Sequence, residues 1–338
     1  ISKSGSLKAE VTGADIEKVK FAEVERKYVA SYNRGAIYTD KDINITTTNE
    51  KGSIANFGIL QAGNDNSEGS IKLTSNNDLY LVEPQTSSTG MDDSNVWASK
   101  EIIIDVTNNM LEYGALWAKG GNVNITVGKD AIISGDYDPT SYAGNCIYAD
   151  DSVNINVGNN IINQNLIVAN KGDIKIQADG SVLNAKHGDK YIIPGKENPL
   201  LVKDVINEAL EKLGFKYKLE DKDTSNGIID ARNGRVYIEA GSSEKVDGAL
   251  VVNNSTVYAK DNIYVTSRTG DVANGGDFVV DKGDITLEAA KRIANLGYMK
   301  VGGTGTAVEA ASGNVSMIAG EDLVNYGVVE SPEGEIFL

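Results

Sequence analysis

Apolar residues two positions apart recur along the chain at a nearly constant interval. The pairs are Ile43/Ile45, Ile71/Leu73, Ile102/Ile104, Val123/Ile125, Val153/Ile155, Ile174/Ile176, Val236/Ile238, Ile263/Val265, Ile285/Leu287, Val315/Met317 and Ile336/Leu338. Alternation with period two marks a strand that buries one face. First members are 21 residues apart from 102 to 123, 153 to 174 and 315 to 336, and 22 apart from 263 to 285. Two landmarks keep phase with the pairs. An alanine stands four or five residues ahead, at Ala98, Ala118, Ala149, Ala169, Ala231, Ala259 and Ala310. An asparagine follows the first member by ten or eleven, at Asn163, Asn184, Asn274, Asn295 and Asn325.

Three landmarks in phase predict about eleven copies of one unit. No helical pattern separates successive pairs, which excludes alternating strands and helices. A four-stranded propeller blade takes ~40–45 residues, about twice the observed period. A 21-residue unit suffices for three short strands and three turns. The expected fold is therefore all-β, a right-handed parallel β-helix. Its coils would pair at ~4.8 Å, so that eleven span roughly 50 Å. Like residues would then stack on like. The alanines would fill a tight interior column. The asparagines would hydrogen-bond amide to amide along the stack, at a corner that tolerates left-handed backbone.

Interruptions divide the chain into four parts. Residues 1–30 form a leading segment in which Ser6 to Val11 fits an earlier, irregular coil. Asp15 to Ala30 reads equally as a short helix or as alternating strands. Residues 31–193 and 228–338 are coils, the latter continuing the stack past Leu338. Residues 194–227 form an insertion: 47 steps separate Asn184 from Ala231, where a plain coil takes about six. Within it Asn198 fits an N-cap and Pro199 the first helical position. Leu201, Val202, Val205, Ile206, Ala209, Leu210 and Leu213 then mark one helix face, and Gly214 ends it. Phe215 to Leu219 alternates like a strand. The insertion is expected to pack on the rod or to project as a recognition element, with Leu201, Val205, Leu210, Phe215 and Tyr217 as candidate contact residues. Smaller excursions precede Ala149 (Asp136 to Tyr142) and Ala310 (Gly302 to Gly305). All three are expected at one phase, hence on one side of the rod, where solenoids often bind. Expansions at Gly63 to Ser70 and Glu83 to Asn95 have no assigned phase.

Charge and composition narrow the function. The net charge is −16, which disfavours nucleic acid and anionic membrane surfaces as partners. No run approaches the ~18 apolar residues of a membrane span. Cys146 is the single cysteine, so neither an intramolecular disulfide nor a cysteine metal cluster forms, and a small buried apolar role is expected. His187 is the single histidine, and no G-x-S-x-G accompanies it, so a solvated loop is expected. Parallel β-helices also carry polysaccharide lyases and glycosidases, which cluster carboxylates on one face. Asp150 and Asp151 are adjacent and would point to opposite faces of a strand. Asp136 and Asp138 could share a loop face. Neither pair has an acidic or basic partner at the same phase of neighbouring coils. Glu220 to Gly227 departs from a calcium loop, with Asn226 where glycine and Arg232 where glutamate belongs. No catalytic residue, cofactor or metal is expected. Asn44, Asn124, Asn254 and Asn314 sit in glycan acceptor patterns that coincide mostly with the repeat's own strand.

Lys171-Gly172-Asp173-Ile174-Lys175-Ile176-Gln177-Ala178, Lys282-Gly283-Asp284-Ile285-Thr286-Leu287-Glu288-Ala289 and Ala294-Asn295-Leu296-Gly297 resemble the repeats of filamentous haemagglutinin-like exoproteins. The acidic, nearly cysteine-free composition is similar to that of large leukotoxin-type filamentous adhesins of Gram-negative bacteria. The resemblance covers roughly residues 31–193 and 228–338. It implies a secreted or cell-surface β-helix, exported through an outer-membrane transporter, that binds a protein or glycan receptor on host or bacterial cells. Secretion-domain motifs of the N-P-N-L and N-P-N-G-I type are missing; Asn198-Pro199-Leu200 is only a fragment of one. The sequence opens on Ile1 without a Met, a basic n-region or an apolar h-region, and Ile336-Phe337-Leu338 reads as strand. The chain is therefore expected to be a segment of a longer polypeptide, downstream of its secretion domain. The alternative function is a carbohydrate-active β-helix enzyme.

Overall fold

The computed structural model describes residues 5–21, 24–33, 35–82, 96–135, 137–138, 143–144, 146–186, 190–191, 200–201, 226–302 and 313–338. They form a right-handed parallel β-helix of three long sheets. The first sheet has twelve strands, from Leu7–Val11 to Ile336–Phe337. The second runs through eleven strands, from Ser31–Asn33 to Leu323–Asn325, and the third through eleven, from Ala36–Thr39 to Val328–Glu330. Each coil passes through the sheets in that order, giving eleven complete coils and a twelfth first-sheet strand. The corners from first to second, second to third and third back to first sheet are called the first, second and third.

Successive coils pair in register, so the sequence columns become physical columns. Ile102, Val123, Val153, Ile174, Val236, Ile263, Ile285 and Val315 are consecutive Cα partners. All eight are fully buried. The expected irregular first coil is present: Leu7–Val11 pairs residue for residue with Ile43–Thr47. The open reading of residues 15–30 resolves to strands, an antiparallel hairpin of Ile16–Phe21 and Val24–Tyr28. Ile336 stacks on Val315 with only that neighbour, and is 44% exposed.

The alanine column runs from Ala62 through Ala98, Ala118, Ala149, Ala169 and Ala231 to Ala259, all without exposure. Ala310 does not belong to it. In that coil the third-sheet strand is Tyr298–Val301, and Val301 occupies the column by stacking on Val280. Ala310 falls in the segment that follows this strand, outside the described residues. Distance from the next core pair misassigned it because the extra residues stand between strand and pair.

The excursions also divide differently from the expectation. Those at 135–145 and in the long insertion do leave at the second corner, and the one at 83–95 joins them there. The one at 302–314 leaves at the third corner, as does 63–70. Numbering coils from Leu7–Val11, the second-corner excursions fall on coils three, five and seven. A two-stranded hairpin is about two strands wide, so neighbours on the same corner need a spacing of two coils. The excursion on coil five fits that geometry, pairing Tyr137–Asp138 with Ala143–Gly144.

Candidate functional site

The second corner is built on a recurring Asn-x-Gly turn, as in Asn274-Gly275-Gly276, Asn295-Leu296-Gly297 and Asn325-Tyr326-Gly327. The asparagine points inward at the end of its strand, and its amide stacks on the next. The Asn163 Nδ2 donates to Asn184 Oδ1 at 2.9 Å, and Asn184 to Asn253 at 2.9 Å. Asn253 donates to Asn274 at 2.9 Å, Asn274 to Asn295 at 2.8 Å, and Asn295 to Asn325 at 2.7 Å. Asn33 and Asn56 make the same contact at 2.7 Å in the first two coils. The same oxygens cap the turn: the backbone N–H of Asn165 donates to Asn163 Oδ1 at 3.1 Å and that of Gly35 to Asn33 Oδ1 at 3.1 Å. The expected left-handed backbone is not part of this column. Among the described residues Glu244 is the only non-glycine with positive φ. The turn instead needs glycine for space, because a Cβ on Gly297 would collide with the carbonyl oxygen of Gly276 in the coil before it.

The long insertion opens inside this turn. Asn184-Ala185 and Gly227-Ile228 occupy the places held by Asn295-Leu296 and Gly297-Tyr298 in a plain coil. The Gly227 N–H donates to the Ala185 carbonyl at 2.7 Å, closing the neck, and the Ile228 N–H reaches Asn165 in the coil before. The coil path is thus intact across residues 186–226. Leu201 does not lie in a helix: Leu200–Leu201 pairs antiparallel with Lys190–Tyr191. A strand at Leu200–Leu201 means that the Asn198-Pro199 start signal does not begin a helix there. Val205, Leu210, Phe215 and Tyr217 lie outside the described residues, as does His187.

Coils three to five break the asparagine column with Leu81, Glu112 and Ile133. Glu112 faces the interior and is fully buried. Asn165 Nδ2 approaches its Oε2 at 3.4 Å, while its Oε1 has no hydrogen-bond partner. Burial pushes its carboxyl well above the usual range, against smaller opposing pulls from Asn165 and the Gly114 N–H. Cys146 lies nearby in a small cluster with Leu166 and Val168, packed by Trp117 and Tyr148. Trp117 and Tyr148 stack at 4.4 Å. Burial, then the Glu112 charge, pushes the Cys146 thiol up to about 12, which leaves it protonated and unreactive at neutral pH. Asp230 is buried on the outer side of the third sheet beside Arg232 at 3.3 Å, and burial raises its carboxyl.

A second apolar cluster lines the outside of this corner, comprising Ala55, Phe57, Val82, Leu111, Tyr113, Ile162 and Ala185. Asp150 accepts from Lys171 Nζ at 2.6 Å and Asn170 Nδ2 at 2.9 Å, which together hold its carboxyl below the usual range. Asp138 lies in the coil-five hairpin and Asp136 outside the described residues. Asn253, Asn33 and Asn56 were missed by the asparagine spacing. The ten-residue run between Ala240 and Val251 displaces Asn253, and the first-corner excursion of coil one displaces Asn33. No protein-family profile, curated protein or solved structure matches the sequence.

Proposed function

We propose that the chain is a non-enzymatic structural and binding rod of a large secreted or surface-exposed bacterial adhesin or toxin, mediating contact with host or bacterial cells. The observation that supports this reading is the continuous, in-register stack of twelve first-sheet strands. Its inward positions serve stacking, its corners serve closure, and its outward faces and second-corner excursions remain for contact. Repeat similarity to filamentous haemagglutinin-like exoproteins points the same way, with export through an outer-membrane transporter.

The test is binding of the purified, labelled chain to epithelial and bacterial cells, with saturable binding as the expected result. Absence of saturable binding, or turnover of acidic or neutral polysaccharides by the same preparation, would overturn the reading. Deleting residues 195–226 then separates the insertion from the sheet faces. Unchanged cell binding assigns contact to the faces, and lost binding with an intact far-ultraviolet spectrum assigns it to the insertion.

A further inference from the structure

The outward face of the first sheet carries a polar strip free of carboxylates, in a chain of net charge −16. In coils five to nine one outward column reads Asn124, Asn154, Lys175, Tyr237, Tyr264, and the next reads Thr126, Asn156, Gln177, Glu239, Thr266. The six outward residues of Val123–Val127, Val153–Val157 and Ile174–Ala178 include no carboxylate and one cation, Lys175, in a chain of net charge −16. They line a shallow depression of about 220 Å³. Asn154 Nδ2 donates to Asn124 Oδ1 at 2.9 Å. Among the described residues that single bond leaves the Asn154 carbonyl and the Asn124 amino group open, and the Asn156 amide and the Lys175 ammonium have no partner. A carboxylate borders the strip on each side: Asp105 beside Thr126, paired with Lys72 at 3.5 Å, and Glu239 beside Gln177, neutralised by Arg268 and held by Gln177. Next to Glu239, Tyr237 and Tyr264 stack at 5.1 Å with an interplanar angle of 11°, and Arg235 Nη1 reaches the Tyr237 hydroxyl at 3.3 Å.

We infer that this strip binds an extended oligosaccharide lying along the rod axis, without cleaving it. The inference rests on the binding-rod reading and supplies its ligand class. A glycan presents a line of hydroxyls, each donor and acceptor, and the strip presents amides that are also both, repeated at ~4.8 Å. The tyrosine pair adds a flat apolar surface at one end. A protein partner would need a desolvated apolar anchor, and the depression offers none. The carboxylate-free floor admits uronates that the acidic remainder of the surface would repel, with Lys175 placed to pair with one. Glycoside hydrolysis needs two carboxyl groups about 5–9.5 Å apart across the bond, and none of the six residues supplies one.

The experiment titrates the full chain with chito- and xylo-oligosaccharides and with hyaluronan oligosaccharides of graded length, read by calorimetry. Affinity is expected to rise with length and then level off. The pair Asn154→Ala and Asn156→Ala should lower it at least about tenfold, the loss of two hydrogen bonds. Lys175→Ala should weaken hyaluronan selectively. All three sites are exposed, so the melting temperature should not move, and this separates lost contacts from misfolding. Absence of binding across the panel, or binding that the variants leave intact, overturns the inference. Cell binding measured in parallel keeps the two readings apart. Cells bound without oligosaccharide binding reject the glycan site alone, and oligosaccharide bound without cell binding rejects the rod's contact role alone.

Discussion

Coils three to seven and coils nine to eleven use the same three sheets but build the second corner differently. In the later coils the asparagine ladder is continuous, and the residue after each ladder position faces solvent: Gly275 is exposed, Leu296 is 64% exposed and Tyr326 82%. In the earlier coils that residue is buried at Val82, Tyr113, Ser134, Gln164 and Ala185. In coils three to five the ladder gives way to Leu81, Glu112 and Ile133. The difference follows from what the asparagine does. Its side chain caps the turn that a tight corner makes two residues later. On coils three and five, where extra chain follows Val82 and Ser134, an apolar residue holds the interior position instead. On coil seven the extra chain also follows the residue after the ladder position, but Gly227 returns against Ala185 to close the neck, and Asn184 is retained. Coil four, between two interrupted neighbours, has Glu112 at the ladder position, where the Gly114 N–H pulls its carboxyl down against the larger effect of burial.

Breaking the ladder where it is continuous should have the largest effect. Asn274→Ala removes the bonds to Asn253 and Asn295 and leaves both buried partners short of one contact. A loss of about 2–4 kcal/mol is expected in urea unfolding. An unchanged transition would show that the ladder follows the stack rather than stabilising it.

A smaller and pH-dependent effect is expected at Glu112. Its carboxyl is raised in the folded chain, so the folded state retains a proton that the unfolded chain has released. The group's stabilising preference is complete below the ordinary carboxylate range and is lost as pH rises through and above it. Glu112→Gln should remove that dependence. The variant should match the parent near pH 4 and exceed it near pH 8 by on the order of 1–3 kcal/mol, the cost of an uncompensated buried polar group. Parallel stability curves across that range would refute this account of the broken ladder.

The smallest effect is a predicted silence. Cys146, buried with its thiol raised to about 12, should resist alkylation by iodoacetamide at pH 8 until denaturant is added. Rapid labelling of the folded chain would show that the middle coils open locally and that their burial is not persistent.

Much of the architecture was legible in the residues. The pairs such as Ile174/Ile176, the alanine column and five of the asparagines lie where their spacing puts them. The misplaced landmarks share one cause. Ala310 was counted from Val315 across an excursion, and Asn253 was hidden behind the run from Gly241 to Leu250. Spacing measured along the chain is unreliable wherever a coil carries extra residues. Glu112 gave no signal because an acid in an amide column has no compositional mark. The polar strip on the first sheet escaped notice because alternation describes the buried positions and leaves the outward ones unconstrained.

What the sequence determined by itself is the period and the membership of the inward columns. Each coil buries its apolar residues only against an identical neighbour, so the same residue types must return at the same phase. What the tertiary structure alone decided is which corner each excursion leaves, that Ala185 meets Gly227 across the neck, and that Asn154 lies beside Asn124 on an open face. These contacts join residues tens of positions apart, and only the stacking of one coil on the next brings them within bonding distance.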